Sequence, residues 1–407
     1  MKKVLFTVAL LLVGTFAYSQ ESVVKEAKSQ MKDAPEKAAE TIQAALTNSE
    51  TANDPQTWKI AGDIQKSMYD TENMKMYLPN QKADTTKLYN SLVNMFEYYM
   101  KADEVEKAAV ANGALKKAKL HKKLADDLKK VRVNLVNGGA DAYNKGDYKS
   151  AFKYFSMFVD SSEDPLFADD DAVKNDTLNT MYANYAALAA QLLNDKANVL
   201  KYGQIGKTDK NEGYRSLMFL AEAYADKDNG DSVKWLETIK EGFQRFPKQD
   251  YFVGNLMDNY IRKGQIDEGL NQVDQLLSQQ GETPYLLYVK GVLQYEKKDY
   301  TSAEATMNQI IGIGKELLPE AYAKLGDCYF FPAQAIVEEN SKIAIDDLAY
   351  NTNDAKIKEL YEKALPYYLK AKELAPDNKQ LWGNYLLNIY WKLNKSEYDS
   401  LSKELGL

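Results

Sequence analysis

Two stretches of the chain carry the same text: YNKGDYKSAFKYF at 143–155 and YEKKDYTSAEATM at 295–307. Each joins an aromatic-bearing helix to a second helix through Gly or Lys, then Asp-Tyr, then Ala. Outward from them, one position of the first helix can be followed along the sequence. It falls at Gly62, Gly139, Ala186, Ala221, Met257, Gly291, Gly326 and Leu386. The steps from 186 to 221, 257, 291 and 326 are 35, 36, 34 and 35 residues. A fixed period of this size marks a repeat array. Two helices cross closely only where one side chain is small, hence Gly or Ala here. Large residues such as Trp58, Leu217, Tyr322 and Trp382 fill the space beside it. No such unit buries its apolar face alone, so units must stack. Apolar positions with period 3.6 and no clear alternation make the chain all-helical.

The pattern resembles the tetratricopeptide repeat, a helix–turn–helix unit of about 34 residues. Tyr322, Leu325, Gly326 and Tyr329 match its first helix, and Ala364, Tyr368, Ala371 and Pro376 match its second. The resemblance covers residues 34–405 and implies an all-α solenoid of about eight units. Ala38, Ile42 and Ala45 read as a lone second helix at its start. Met257 and Leu386 break the small-residue rule. Three steps depart from the period. The step 62→139 leaves room for two units, with a polar loop around 70–86 and a long charged helix from Ala102 to Val136. The excess in 139→186 falls in the acidic run 160–171. The excess in 326→386 lies within 331–357, where Pro332 is expected to end a helix. The organisation expected is a leader at 1–19, degenerate units over 20–210 with polar loops at 70–86 and 160–177, and C-terminal units over 211–407. One curved array is expected rather than separate domains.

The chain has 407 residues, ample for a large core. Lys2 and Lys3 precede the apolar run VLFTVALLLVGTFA at 4–17, and Ala17 and Ser19 are small. This reads as an export signal cut after Ser19, giving a periplasmic or secreted protein. No Cys follows the run, so lipid attachment is not expected. Without the two leader lysines, 52 basic residues become 50 against 59 acidic, a balance of −9 that argues against nucleic-acid binding. A single His and a single Cys exclude a disulfide framework and a Cys/His zinc site built by one chain. Cys328 reads as a buried small residue.

Motif-like texts are declined on their context. GQIGKT at 203–208 has two residues between its glycines where a phosphate loop needs four. DKDNGDSVKWLE at 226–237 offers Asp226, Asp228 and Glu237 to calcium, but Asp231 stands where the loop's Gly belongs. The run 160–171 reads as a solvated, self-repelling loop. LKKAKLHKKLADDLKK at 115–130 places Leu115, Leu120, Leu124 and Leu128 on one stripe, with His121 on the polar side. Four triplets at Asp84, Asp176, Asp231 and Asp399, each followed by Ser or Thr, resemble an O-glycosylation sequon of bacterial envelope proteins; ordinary turn chemistry competes with that reading. No cofactor or catalytic set is announced.

In the repeat family the first helices line a concave face through positions 2, 5, 9 and 12, counting the small residue as 8. The resemblance thus puts Tyr251, Tyr285, Tyr288, Tyr295, Phe330 and Tyr390 on that face, with Trp391 beside it. Tyr and Trp suit peptide or sugar contacts. The family's clamp for a C-terminal carboxylate is missing, since only Lys59 holds a position 5 and its position 9 is Asp63. The expected function is a non-enzymatic envelope scaffold for a protein or peptide partner. A surface protein that binds glycans or nutrients is the alternative.

Overall fold

Aspartate starts many of the helices. Asp54, Asp84, Asp147, Asp195, Asp299 and Asp347 each precede one and accept a backbone N–H from its first turn. This satisfies a donor that the helix itself leaves unpaired. The computed structural model describes residues 21–225, 230–314 and 317–407, and the leader with its expected cut after Ser19 lies outside them. All regular elements among the described residues are helical.

The helices come in pairs. α1 (21–30) precedes α2 (Pro35–Thr47), followed by α3 (Pro55–Lys75) with α4 (Thr85–Ala111). A single helix, α5 (His121–Val131), then leads into α6 (Val133–Asn144) with α7 (Tyr148–Ser161). After a short α8 (Asp171–Lys174) come α9 (Leu178–Leu192) with α10 (Lys196–Gly206), and α11 (Gly213–Tyr224) with α12 (Ser232–Arg245). The remaining pairs are α13 (Asp250–Arg262) with α14 (Ile266–Gln280), α15 (Pro284–Glu296) with α16 (Tyr300–Ile313), α17 (Leu318–Asn340) with α18 (Leu348–Leu374), and α19 (Gly383–Lys392) with α20 (Tyr398–Leu405). All eight positions followed through the sequence fall on the first helix of a pair. The chain divides into two compact units, through Thr238 and from Ile239 onward.

The two repeated texts make the same turn. Gly146 (φ 77°) and Lys298 (φ 65°) both take the left-handed conformation. Asp147 and Asp299 then cap the next helix on Ser150 N and Ser302 N. Tyr148 and Tyr300 each pack 5.5 Å from the tyrosine ending the first helix, Tyr143 or Tyr295.

Each small residue exists because of a partner ring or side chain. A Cβ at Gly62 would overlap Tyr99, at Gly139 Phe155, at Gly291 Met307, and at Gly326 Tyr368. Where the partner is tyrosine, its hydroxyl needs an acceptor, and the next residue supplies one. Tyr99 Oη donates to Asp63 Oδ1 at 2.8 Å, and Tyr368 Oη to Asp327 Oδ1 at 2.7 Å. Lysines neutralise both aspartates, Lys59 at 2.5 Å and Lys324 at 2.7 Å. Where the partner is Phe155 or Met307, the next residues are Ala140 and Val292. The exceptions are compensated: Met257 meets Gly269 of its partner helix, and in the last pair Gly383 takes the close contact with Leu405.

Four expectations are corrected. The first second-type helix is not lone, because α1 precedes it and Ala27 packs in one cluster with Ala38 and Ile42. The charged helix from Ala102 to Val136 is broken at 112–120, with Gly113 at φ 81°. The break is held by buried Glu106, which accepts Lys119 N–H and Leu120 N–H at 2.9 and 2.8 Å. Leu115 thereby leaves the stripe that Leu120, Leu124 and Leu128 keep. Pro332 does not end a helix; α17 runs through it to Asn340, so the insertion lengthens both helices of its pair.

The fourth correction is the acidic run. It is folded rather than a free loop, with Leu166, Phe167 and Val173 buried while Glu163, Asp169 and Asp171 remain exposed. Arg132 anchors it, donating to Phe158 O at 2.8 Å, Ser161 Oγ at 3.0 Å, Asp176 Oδ2 at 2.7 Å and Asn179 Oδ1. Burial raises the Asp164 carboxyl above its usual range, with nearby Asp103 and Glu104 adding to the effect, while its cap on Leu166 N and Lys107 oppose it. The folded chain therefore holds this proton more tightly than the unfolded chain. The destabilisation is complete at neutral pH and is relieved as pH falls through the folded value. Asp164→Asn, which keeps a capping oxygen, should raise the melting temperature at pH 7 and lose that gain near pH ~3. A gain of equal size at both pH values would refute this electrostatic cause.

Candidate functional site

In the second unit, two of the residues expected on a binding face, Tyr288 and Tyr295, share one helix. Tyr288 and Tyr295 are half-buried on α15, and Lys324 of α17 sets its ammonium 4.4 Å from the Tyr295 ring centre. Phe331 packs edge-on against Tyr295 at 6.1 Å and reaches Tyr385 at 6.2 Å. Tyr385 in turn stacks on buried Tyr368 at 4.8 Å. Burial raises the Tyr288 and Tyr295 hydroxyls above the usual tyrosine range, so both stay neutral donors.

The other expected residues are placed differently. Phe330 lies in the core against Tyr361 and Tyr385, and Tyr390 is buried with it in the same cluster. On α17 the residues meeting the Tyr295 ring are Lys324 and Phe331, one place later than Ala323 and Phe330. One residue turns a helix face by about 100°. The large insertion packs Ala323 and Phe330 inward against α18, and the exposed face moves accordingly. Tyr285 donates to Asp250 O at 2.9 Å, and burial pushes its hydroxyl up to about 12. Tyr251 is half-buried beside Phe252 at 5.3 Å. Trp391 is 66% exposed and lies apart from these residues, at a cleft made by the insertion.

A second first-helix face, in the first unit, was not singled out from the sequence. Val136, Ala140 and Tyr143 stand at positions 5, 9 and 12 of α6. With Phe155 and with Met181, Tyr182 and Tyr185 of α9 they line an open cleft of about 410 Å³. Phe155 stacks on Tyr182 at 5.8 Å, and Tyr185 is 42% exposed. Asn137 and Asn144 supply amides at its edge. The size and the apolar wall with a few polar groups are those of a binding cleft. The signal was available, because the same position rule selects Val136, Ala140 and Tyr143; only the aromatic wall on α9 lies off the rule.

The declined motifs find structural roles. Gly203 and Gly206 sit at the C-terminal end of α10, where carbonyls rather than N–H groups face out, so the segment cannot cradle phosphate. They allow close contact with Leu220 and Ser216. Asp226 and Asp228 lie outside the described residues, while Asp231 caps α12 through Val233 N and Lys234 N. Asp84 and Asp176 likewise accept backbone N–H groups at the starts of α4 and α9, and Asp399 lies inside α20. His121 is not idle on a polar face. Its Nδ1 lies 2.8 Å from Oδ1 of Asp103, a carboxylate that is itself buried. Burial pushes the Cys328 thiol up to about 12, so it is no nucleophile at neutral pH. Among the described residues no cluster of three or more metal-ligating side chains occurs, and no helix is long and apolar enough to cross a membrane.

Paired helices at a 34–36-residue step, crossing at a small residue of the first helix, decide the architecture. The fold is a tetratricopeptide-type helical-repeat solenoid. No family model matches the chain, and no curated protein sequence is similar to it. Solved structures that it resembles include a tetratricopeptide-repeat protein from Bacteroides fragilis, at 16% identity and TM-score 0.30, over 63% of this chain and 97% of that one. A tetratricopeptide-repeat protein from Parabacteroides merdae matches at 16% identity and TM-score 0.37, over 64% and 99%. Yeast Tom70 matches at 12% and 0.31, over 95% and 91%.

Proposed function

We propose that the chain is an exported, non-enzymatic scaffold that holds a protein or peptide partner against the exposed faces of its first helices. The observation that carries this reading is the cleft between α6 and α9. Its aromatic wall is large, partly exposed and edged by amides, which suits a partner with apolar side chains on a polar backbone. The Tyr288–Tyr295 face of the second unit has the same character. Export to the periplasm or medium rests on the leader text alone, and it requires that protein recovered by osmotic shock or from the medium begin at Gln20 rather than Met1.

Crosslinking capture from envelope fractions of the source cells tests the binding reading. Tyr185→Ala should weaken capture of the recovered partner about thirtyfold, the effect of losing a hot-spot aromatic. Tyr288→Ala and Tyr295→Ala should act in the same direction. Melting of Tyr185→Ala should stay close to wild type, because that ring is substantially exposed. Unaltered capture by all three variants would sink the reading, and a fall in melting temperature alone would make these rings core.

A further inference from the structure

The insertion does more than lengthen two helices. Beyond Pro332, α17 forms one wall of a cleft of about 230 Å³, whose other walls are the first half of α18 and the end of α19. Val337, Ile357 and Tyr361 make it apolar, and Asn340, Asn388 and Trp391 make it polar. Asn340 is 4% exposed and donates through Nδ2 to Tyr350 O at 3.2 Å. That bond fixes the amide's orientation, because a carbonyl cannot donate to Oδ1. Oδ1 is left as a buried acceptor with no partner among the described residues. Such a group ordinarily finds a donor from water or from a bound molecule.

Three further features narrow the occupant. Trp391 is exposed and, among the described residues, stacks on no ring and donates to no acceptor, which leaves its face and its N–H open. The cleft's cation, Lys392, is paired with Asp354 at 2.6 Å, and Asp354 also pairs with Lys358 at 2.8 Å. The only charged side chain lining the cleft is thus engaged by a carboxylate rather than left bare for an anion, and no carboxylate lines the cleft to select a cation. Its volume, about 230 Å³, lies below the usual range of about 300–1,000 Å³ for a drug-sized pocket, so it takes a small occupant.

We propose that this cleft is a subsite for one neutral sugar residue. A pyranose offers an apolar C–H face to the Trp391 ring, and hydroxyls that both donate and accept. One hydroxyl donates to Asn340 Oδ1, and others take the Trp391 N–H and the Asn388 amide. The proposal shares no residue with the α6–α9 cleft or with the Tyr288–Tyr295 face, and stands or falls apart from them.

The test uses the full chain with glucose, galactose, mannose and N-acetylglucosamine as probes at millimolar concentration, read by saturation-transfer NMR and tryptophan fluorescence. At least one should receive saturation and shift the fluorescence. Trp391→Ala should weaken it about thirtyfold with melting unchanged, since the ring is exposed, and Asn340→Leu should weaken it about tenfold or more. Silence from all four probes, or binding that survives both substitutions, overturns the proposal. So does a higher melting temperature in Asn340→Leu with no sugar signal in the wild type, which would make the site a water pocket. Peptide capture at Trp391 without any sugar signal overturns it in favour of a second peptide groove.

Discussion

Arg132→Met should lower the stability of the first unit by about 3–5 kcal/mol, the cost of breaking a buried charge network by removing one partner. The guanidinium lies between the end of α5 and the start of α6, 3.6 Å over the Phe158 ring. Its forked donors reach α7 through Phe158 O and Ser161, and the start of α9 through Asp176 and Asn179. Met fills the stem's volume but donates nothing. Phe158 O and Asn179 would then lose a charged donor in a dry setting, where an unmade hydrogen bond costs about 1–3 kcal/mol. Asp176 is partly exposed and would recover some of its loss from water. Arg132→Lys keeps the charge without the planar fork, so it should fall between the two. Urea denaturation checks the order, and limited proteolysis should find residues 162–177 cut first in Arg132→Met. A loss below about 1 kcal/mol, typical of a surface pair, would mean the network does not hold this segment.

The sequence did not disclose Arg132, and the reason is physical. A repeat rule sees positions that recur, whereas this residue serves an insertion that occurs once. The same holds for Glu106, which clamps the loop before α5, and for Asn340. The run 160–171 was misread because its charges were counted before its caps. Asp164 and Asp170 accept backbone N–H groups, and Leu166 and Phe167 between them carry enough apolar surface to bury. Pro332 was misread as a helix end. The ring removes one N–H and crowds a carbonyl, but α18 lies along the whole helix, and packing over that length outweighs a local cost of about 3 kcal/mol.

What recurs was legible. The register of first helices followed from Gly62, Gly139, Gly291 and Gly326, because a close helix crossing tolerates little else. The same register puts Tyr288 and Tyr295 on α15, with Lys324 over the Tyr295 ring. It failed on α17 for Phe330 because the longer α18 brings Tyr361 and Tyr368 into contact with that ring, a pairing that no spacing within one helix encodes. The aromatic wall on α9 was missed because Tyr182 and Tyr185 sit at positions that ordinarily face neighbouring helices, and here they pair with Phe155 while staying partly exposed.

Gly326→Leu should cost about 1–3 kcal/mol or more, the range for overpacking a close-packed core. A Cβ at Gly326 would lie 2.7 Å from two ring carbons of Tyr368, so something must move. The ring has nowhere to go. It is fully buried, stacked on Tyr385, edge-on to Phe330, and tied by its hydroxyl to Asp327. Turning it would break that hydrogen bond and strip Asp327 of one partner, leaving Lys324 alone against the carboxylate. The shift would also reach the exposed face, because Lys324 covers Tyr295 and Tyr385 meets Phe331. Gly326→Leu should therefore weaken partner capture as well as lower the melting temperature. Gly291→Ala is the control. Its new Cβ would meet the terminal methyl of Met307, a flexible chain that can retreat, so the cost should stay well below that of Gly326→Ala. Thermal unfolding of the three variants decides the matter. Equal losses for Gly291→Ala and Gly326→Ala would mean that the rigidity of the opposing ring is not what demands glycine in this repeat.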